Sequence, residues 1–440
     1  MKIFLLSYHF FNRTAEGLVT TKLARALADR GHQLTVFTAG IESELTSSEV
    51  KRAVLDGIDV EIVLWPVAQQ PTVWNWLNQR GGWLGKRLAA IPGTIYGYTL
   101  QDRAWARAVE AAVAARVAQD GLPDVLHSRL NHYASHVAAS RVKQHFPRLR
   151  WCAYFSDPWP YHLYPAPYFF RVGPVSRIRQ EWVLNHWLTQ AETVVYPGVR
   201  LMKHLLNGSR TRFRAKARAI PHIGRIPALD PMTVTRNKEK PIKRDAGKLL
   251  LRHAGLLMKE RRVEPLYDGL RQLFQAYPAA QNGVVIEFCG RCTVLADGTM
   301  DPRLAPPEDL RPNIAISGYQ SPESVITWLD EADVYLLVEG QGLNDGIFLP
   351  SKLADYVTGC RPILALSPEN GEVADCLRAG GGLRADTDDP AAIARALHQL
   401  WDYKQSGRLG ELLPPPATVA AFAPATIAAQ YESVFAPQEM

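Results

Sequence analysis

The feature that most constrains this chain is an alternation of short apolar runs with helix-patterned stretches, which breaks once and then starts again. Ile3 to Ser7 is a buried-type run that leads into a loop. Leu18 to Arg30 has helical spacing, and Gly31 stops it. Gln33 to Thr38 is the next run. A strand, a helix of about three turns and a second strand form a βαβ unit, which requires a parallel sheet with buried strands. The pattern continues with strands at Val60 to Leu64, Asp124 to Ser128, Arg150 to Phe155 and Glu192 to Tyr196. Helices are expected at Ala104 to Ala118 and His136 to His145. From Pro221 to Lys248 the pattern lapses into prolines and the charge cluster RNKEKPIKRDAGK, which reads as a link. It resumes with strands at Leu249 to Ala254, Val284 to Phe288, Ile314 to Ser317, Val334 to Val338 and Pro362 to Leu366. The helices there are Glu264 to Tyr277, Ser351 to Thr358, Pro390 to Leu400 and Thr426 to Phe435. Two doubly wound α/β domains in tandem account for this order.

The chain has 440 residues, too many for one ordinary domain. Its 47% hydrophobic and 21% charged residues exclude a disordered or fibrous protein, and five cysteines exclude a disulfide scaffold. No run is long enough for a membrane-spanning helix. The opening MKIFLLSYHFFNRTAEG reads as a first strand and not as a signal peptide, so the expected location is cytoplasmic. Charge is uneven along the chain. Residues 1–228 hold 29 Lys and Arg against 15 Asp and Glu, and the remainder 21 against 28. A basic half suits a nucleic acid, an anionic membrane surface, a phosphate-bearing acceptor or simply a solvated Arg-rich face. Nucleic acid loses ground because no Lys/Arg stripe is interleaved with stacking aromatics.

Residues 68–103 interrupt the first domain. Trp74, Trp76 and Trp83 lie among Arg80, Lys86 and Arg87. The segment suits either a membrane interface or, as the better-supported reading, an insertion packing its indoles inward. No G-x-G-x-x-G follows the first strand, and no P-loop lysine motif or G-x-S-x-G occurs. The lone Cys289-Gly-Arg-Cys292 has no second pair for zinc and reads as ordinary thiols. Three loops are more informative. Gly17 follows the first strand and could let a ligand approach a helix N-terminus. Gly255-Leu-Leu-Met-Lys-Glu-Arg261-Arg262 occupies the matching place in the second domain, at a sheet edge where such folds bind ligands. The third is Gly346-Ile-Phe348-Leu349-Pro350-Ser351-Lys352-Leu-Ala-Asp355, a helix start with Lys352 in its first turn and Asp355 three residues on. It reads either as an anion site beside a hydroxyl-binding carboxylate, fit for a nucleotide diphosphate and its ribose, or as a plain capped helix.

On these motifs the chain resembles the GT-B glycosyltransferases, and among them the retaining family 4 enzymes of bacterial polysaccharide assembly. MKIFLLSYHFFNRTAEG with LARALADRGHQLTVFT, DVLHSR, AYFSDPWP, IPHIG and HAGLLMKERRVEPL carry the resemblance, and GIFLPSKLADYVTGCRPILAL with GGGLRADTDDPAAIARAL carries it most specifically. The resemblance implies two Rossmann-like domains facing a central cleft. Residues 1–228 would form an acceptor-side domain with the Trp-rich insertion 68–103. A linker would cover 229–248 and a nucleotide-sugar domain 249–420, with a helix in 421–440 that can cross back to the first domain. Asp355 would bond the ribose hydroxyls. Arg261 and Lys352 would hold the diphosphate, and Asp157 would contact the sugar or acceptor hydroxyl, unless it serves only to cap the turn before Pro158. The loop at Gly318-Tyr319 would read the base. Gly17, Gly255, Phe348, Leu349, Pro350 and Ser351 complete the expected donor site. Two positions depart from the family pattern. Ile347 stands where an acidic residue touches the sugar, with Glu339, Asn344 or Asp345 as substitutes, and Leu256 stands where an arginine meets the diphosphate.

The implied activity is transfer of a sugar from a UDP- or GDP-linked donor to a hydroxyl of a lipid-linked saccharide or growing polysaccharide. Retention, no cofactor and no metal are expected, with cationic side chains taking the metal's place. Peripheral contact with the anionic inner membrane surface fits the basic half. The departures at Ile347 and Leu256 keep open a second class, a non-catalytic GT-B protein acting as a binding or scaffold partner.

Overall fold

The computed structural model describes residues 1–10, 14–39, 54–64, 82, 85, 97–130, 133–168, 170–226, 247–257, 260–290, 304–318, 320, 322–342 and 345–437. The tryptophan segment, the charged linker, Cys292, Tyr319 and Asn344 therefore lie wholly or largely outside the described residues. Two compact units emerge. The first comprises Met1–Tyr164, Phe169–Pro221 and Ile427–Met440, and the second Pro165–Tyr168 and His222–Thr426.

In the first unit the order is β1 (Lys2–Leu6), α1 (Ala15–Ala28), β2 (Gln33–Thr38), β3 (Ile58–Ile62), α2 (Leu100–Asp120), β4 (Val125–Leu130), α3 (Ala134–His145), β5 (Trp151–Phe155), α4 (Pro174–Gln190), β6 (Thr193–Tyr196), α5 (Val199–Leu205) and β7 (Ala217–Ala219). The strands form one parallel sheet in the order β3-β2-β1-β4-β5-β6-β7. β1, β4 and β5 are almost wholly buried, as strands covered on both faces must be. Thr14 caps α1, and Thr99 with Asp102 forms a capping box on α2.

The second unit runs β8 (Leu249–Ala254), α6 (Glu264–Ala276), β9 (Val284–Cys289), β10 (Ile314–Ser317), α7 (Pro322–Asp330), β11 (Val334–Val338), α8 (Ser351–Thr358), β12 (Ile363–Leu366), α9 (Glu372–Arg378), β13 (Gly382–Ala385), α10 (Pro390–Gln405) and α11 (Pro416–Phe422). Its sheet is also parallel, in the order β10-β9-β8-β11-β12-β13. Residues alternate between two apolar layers, as the strand period of two requires. Val334, Leu336, Val338, Leu364 and Leu366 pack with α6 and α10, while Tyr335, Leu337, Ile363 and Ala365 pack with α8 and α9. A last helix, α12 (Pro424–Phe435), places Ile427 onward in the first unit. There Glu432 meets Arg30 and His32, and Tyr431 meets Arg129.

β2, β10, β11 and α8 have the ends expected from sequence, and β3 lies two residues earlier than expected. The sequence pattern did not mark α4, α5, β7, α7, α9, β13 or α11. β13 begins at the end of the run Gly380-Gly381-Gly382, a composition that signals a turn, and its strand state comes from pairing with β12.

Candidate active site

Counted from its own first strand, the second sheet has the order 3-2-1-4-5-6. The winding direction reverses between β8 and β11, and ligands of open α/β sheets bind at the carboxyl ends of the strands at that point. Beyond β8 the chain turns through Gly255, whose φ of 131° suits glycine. A Cβ on Gly255 would stand 2.5 Å from Lys352 Nζ, so the glycine admits the lysine to the strand end.

Lys352 is half-buried, and its amine lies against Gly255 and His253. Burial first, and the nearby Arg261 second, push it well below the ordinary lysine value. Its Nζ lies 3.2 Å from His253 Nε2, and His253 Nδ1 lies 2.9 Å from the Leu336 carbonyl. A carbonyl only accepts, so Nδ1 carries the ring proton. Burial holds His253 well below its usual value and therefore neutral. Nε2 is then the acceptor, and Lys352 donates to it.

Arg261 forms the other side of the cluster. Its Nη1 donates to the Leu256 carbonyl at 3.3 Å, it also hydrogen-bonds the Tyr168 hydroxyl, and its buried Nε has no partner. Tyr168 belongs to the short segment counted with this unit, and packs edge-on against Phe348 at 5.6 Å. Its hydroxyl rests against Gly340, where a Cβ would collide with it. Glu339, directly after β11, is 4% exposed. Burial, opposed by Arg261, pushes its carboxyl up to about 8.

Helix α8 carries Lys352 and is firmly held. Pro350 precedes its first turn, and no side chain caps that end. The Tyr356 hydroxyl accepts from the Ala254 N–H at 3.0 Å, and its ring stacks on Tyr335 at 4.8 Å. Arg225 secures the other end of the helix. It pairs with Asp330, donates to the Tyr335 hydroxyl at 2.8 Å and donates to the Asp355 carbonyl at 3.1 Å.

The structure thus brings together Gly255, Arg261, Phe348 and Lys352, with Pro350 and Ser351 at the start of the same helix. Leu349 packs in the apolar layer beneath α8. The Asp355 carboxylate acts electrostatically on Arg225 and Tyr356, whereas Lys352 turns to His253. Among the departures, Ile347 is buried and Leu256 is 42% exposed. Tyr319 lies outside the described residues. Sequence reasoning did not single out His253, Tyr168 or Arg225. A histidine in a buried strand was the signal for the first. Nothing local marked the other two.

Gly17 and Asp157 belong to the first unit. The Gly17 N–H donates to the Thr14 hydroxyl at 3.1 Å as part of the α1 cap. Asp157 accepts from the Ser156 hydroxyl at 3.0 Å and acts electrostatically on Glu16. Glu16 is buried and pairs with Arg129 at 2.7 Å. Burial pushes its carboxyl up, against the pull of that arginine.

No protein-family model and no curated protein matches the chain. Solved structures do. An α,α-trehalose-phosphate synthase (UDP-forming) from Burkholderia vietnamiensis matches with a TM-score of 0.58 at 14% identity, over 99% of each chain. The E. coli trehalose-6-phosphate structure bound with UDP-2-fluoro glucose matches with a TM-score of 0.57 at 10% identity, over 99% of each chain. The UDP-GlcNAc 2-epimerase from Neisseria meningitidis, bound to UDP-GlcNAc, matches with a TM-score of 0.52 at 13% identity, over 98% of this chain and 99% of that one. The fold is GT-B. Full coverage of both units with two parallel sheets decides this, and identities this low speak to fold alone.

Proposed function

We propose that the protein is a glycosyltransferase moving a sugar from a UDP- or GDP-linked donor to an acceptor hydroxyl. The observation that carries this reading is the meeting of the Arg261 guanidinium and the Lys352 amine at the β8–β11 switch point beside the start of α8. The solved structures with UDP-2-fluoro glucose and UDP-GlcNAc on the same fold support a nucleotide sugar as ligand. In the reaction, the bond from the anomeric carbon to the phosphate oxygen breaks, and both electrons leave with the nucleoside diphosphate. Arg261, Lys352 and the first N–H groups of α8 oppose the growing negative charge. The acceptor oxygen bonds to the anomeric carbon. Its proton passes to a donor phosphate oxygen, a course that gives retention and needs no metal and no protein nucleophile. Asp355 is assigned to the ribose, Tyr319 to the base, and Asp157 to the sugar or acceptor hydroxyl.

For the acceptor we propose a lipid-linked saccharide or growing polysaccharide, reached from the anionic inner membrane surface. Support comes from α4, where Val175, Ile178 and Trp182 are 66%, 72% and 54% exposed at positions that share one helical face. Exposed Arg171 and Arg177 flank them, and Arg179 lies 4.3 Å over the Trp182 ring. An apolar stripe edged with arginine suits an anionic interface. In sedimentation with vesicles containing phosphatidylglycerol, the protein should pellet, and I178D/W182D should remain in the supernatant. Equal pelleting of both proteins would remove this surface from the proposal.

The buried Ile347 and the exposed Leu256 favour one other reading, a GT-B protein that binds without catalysis. The assay that separates the two follows nucleotide release and sugar transfer, and also donor epimerisation, since one fold neighbour is an epimerase. Transfer is expected. R261A and K352A should each lower it by about tenfold or more through loss of a transition-state charge contact, with unchanged circular dichroism. Near-normal transfer by both variants would defeat the site assignment.

A further inference from the structure

We propose that Glu339 is the residue that reads the donor sugar, bonding one of its hydroxyls through a carboxyl oxygen that now has no partner. This rests on the donor-site reading above. Glu339 Oε2 is buried without a hydrogen-bond partner, in a residue only 4% exposed. Native proteins seldom leave such an oxygen unmatched, because its desolvation is not recovered. The backbone fixes where the group stands. Glu339 N–H donates to the Leu366 carbonyl at 2.9 Å, which holds the residue at the carboxyl ends of β11 and β12. Two glycines line the place where it stands. A Cβ on Gly346 would come within 3.7 Å of Oε2, and Gly340 makes way for the Tyr168 hydroxyl.

The backbone brings the same stretch to the proposed phosphate site, since the Gln341 N–H donates to the Glu260 carbonyl at 2.9 Å, directly before Arg261. Arg261 is the cation that acts on Glu339, and Tyr168 senses both of them. A carboxyl set beside the diphosphate-holding arginine is where the first sugar attached to that diphosphate would sit. The position that is acidic in the resembled family and the substitute Asp345 are both weaker. Ile347 is apolar and buried, and Asp345 is exposed to solvent. Burial also keeps much of Glu339 protonated near neutrality, so it can donate to a sugar oxygen as well as accept from a hydroxyl.

The test compares UDP and GDP with UDP-glucose, UDP-GlcNAc and GDP-mannose by calorimetric titration of the wild type, E339A and E339Q. E339A should bind the free nucleotide within about twofold of wild type. It should bind the corresponding nucleotide sugar at least about tenfold more weakly, the size of one lost hydrogen bond to a buried polar group. E339Q, which keeps an acceptor and a donor, should recover part of that loss. Wild-type affinity of E339A for the nucleotide sugar overturns the proposal. So does an equal loss for nucleotide and nucleotide sugar, which would make Glu339 a support for Arg261. Failure of the unaltered protein to bind any of the five ligands overturns the donor-site reading itself and this assignment with it.

Discussion

Lys352 and Glu339 are both held away from their ordinary ionisation, and each shift has a measurable consequence. Lys352 is depressed by burial and by Arg261. An incoming diphosphate reverses that balance, so binding should take up a proton. The apparent binding enthalpy should therefore change with the ionisation enthalpy of the buffer, and affinity should fall as pH rises. Lys352→Met should abolish the buffer dependence. A buffer-independent enthalpy in the wild type would mean that Lys352 does not meet the anion. Glu339 shows the opposite effect in folding. Its carboxyl rises from 4.5 to about 8 on folding, so the folded state binds the extra proton between these values. The associated stability is full below about pH 4.5 and is lost as pH rises through 8. Urea midpoints measured near pH 5 and pH 8 should show E339Q gaining on the wild type at the higher pH. A constant difference would contradict the shift.

At the scale of elements, α8 transmits position from the core to the site. Tyr356 ties it to the end of β8, and Arg225 ties its C-terminal end to Asp330 and Tyr335. Arg225→Ala leaves Asp330 without that cation in a half-buried setting. It should cost about 3 kcal/mol in urea unfolding and weaken nucleotide binding more than the conservative R225K. Equal binding by the wild type and R225A would show that α8 does not need this anchor. On the first unit, α12 buries Tyr431, Val434 and Phe435 against the sheet. Phe435→Ala should cost about 3–5 kcal/mol, and a loss below about 1 kcal/mol would argue that the helix is dispensable. These elements differ in how well the sequence announced them. β11 and α8 were legible because an unbroken apolar run and a Pro-Ser start are local signals. The roles of Arg225 and Tyr168 were not, since each acts on residues distant along the chain. Glu339 was visible only as one of three substitutes for the missing acidic residue at Ile347. Its burial and its unmatched oxygen, not its spacing, distinguish it.

At the scale of the molecule, two parallel sheets with the same βα alternation follow from the sequence pattern, and the matches to solved GT-B structures extend over both. The charge division along the chain gives the first half its arginines, among them those flanking α4. No described helix is long and apolar enough to cross a membrane. The central claim is that the second unit binds a nucleoside diphosphate through Arg261 and Lys352. Calorimetric titration of the purified protein with UDP and with GDP, with and without a chelator, tests it most directly. The expected result is micromolar binding of one nucleotide, unchanged by the chelator and lost in R261A/K352A. No binding of either nucleotide, or equal binding by the double variant, would contradict it.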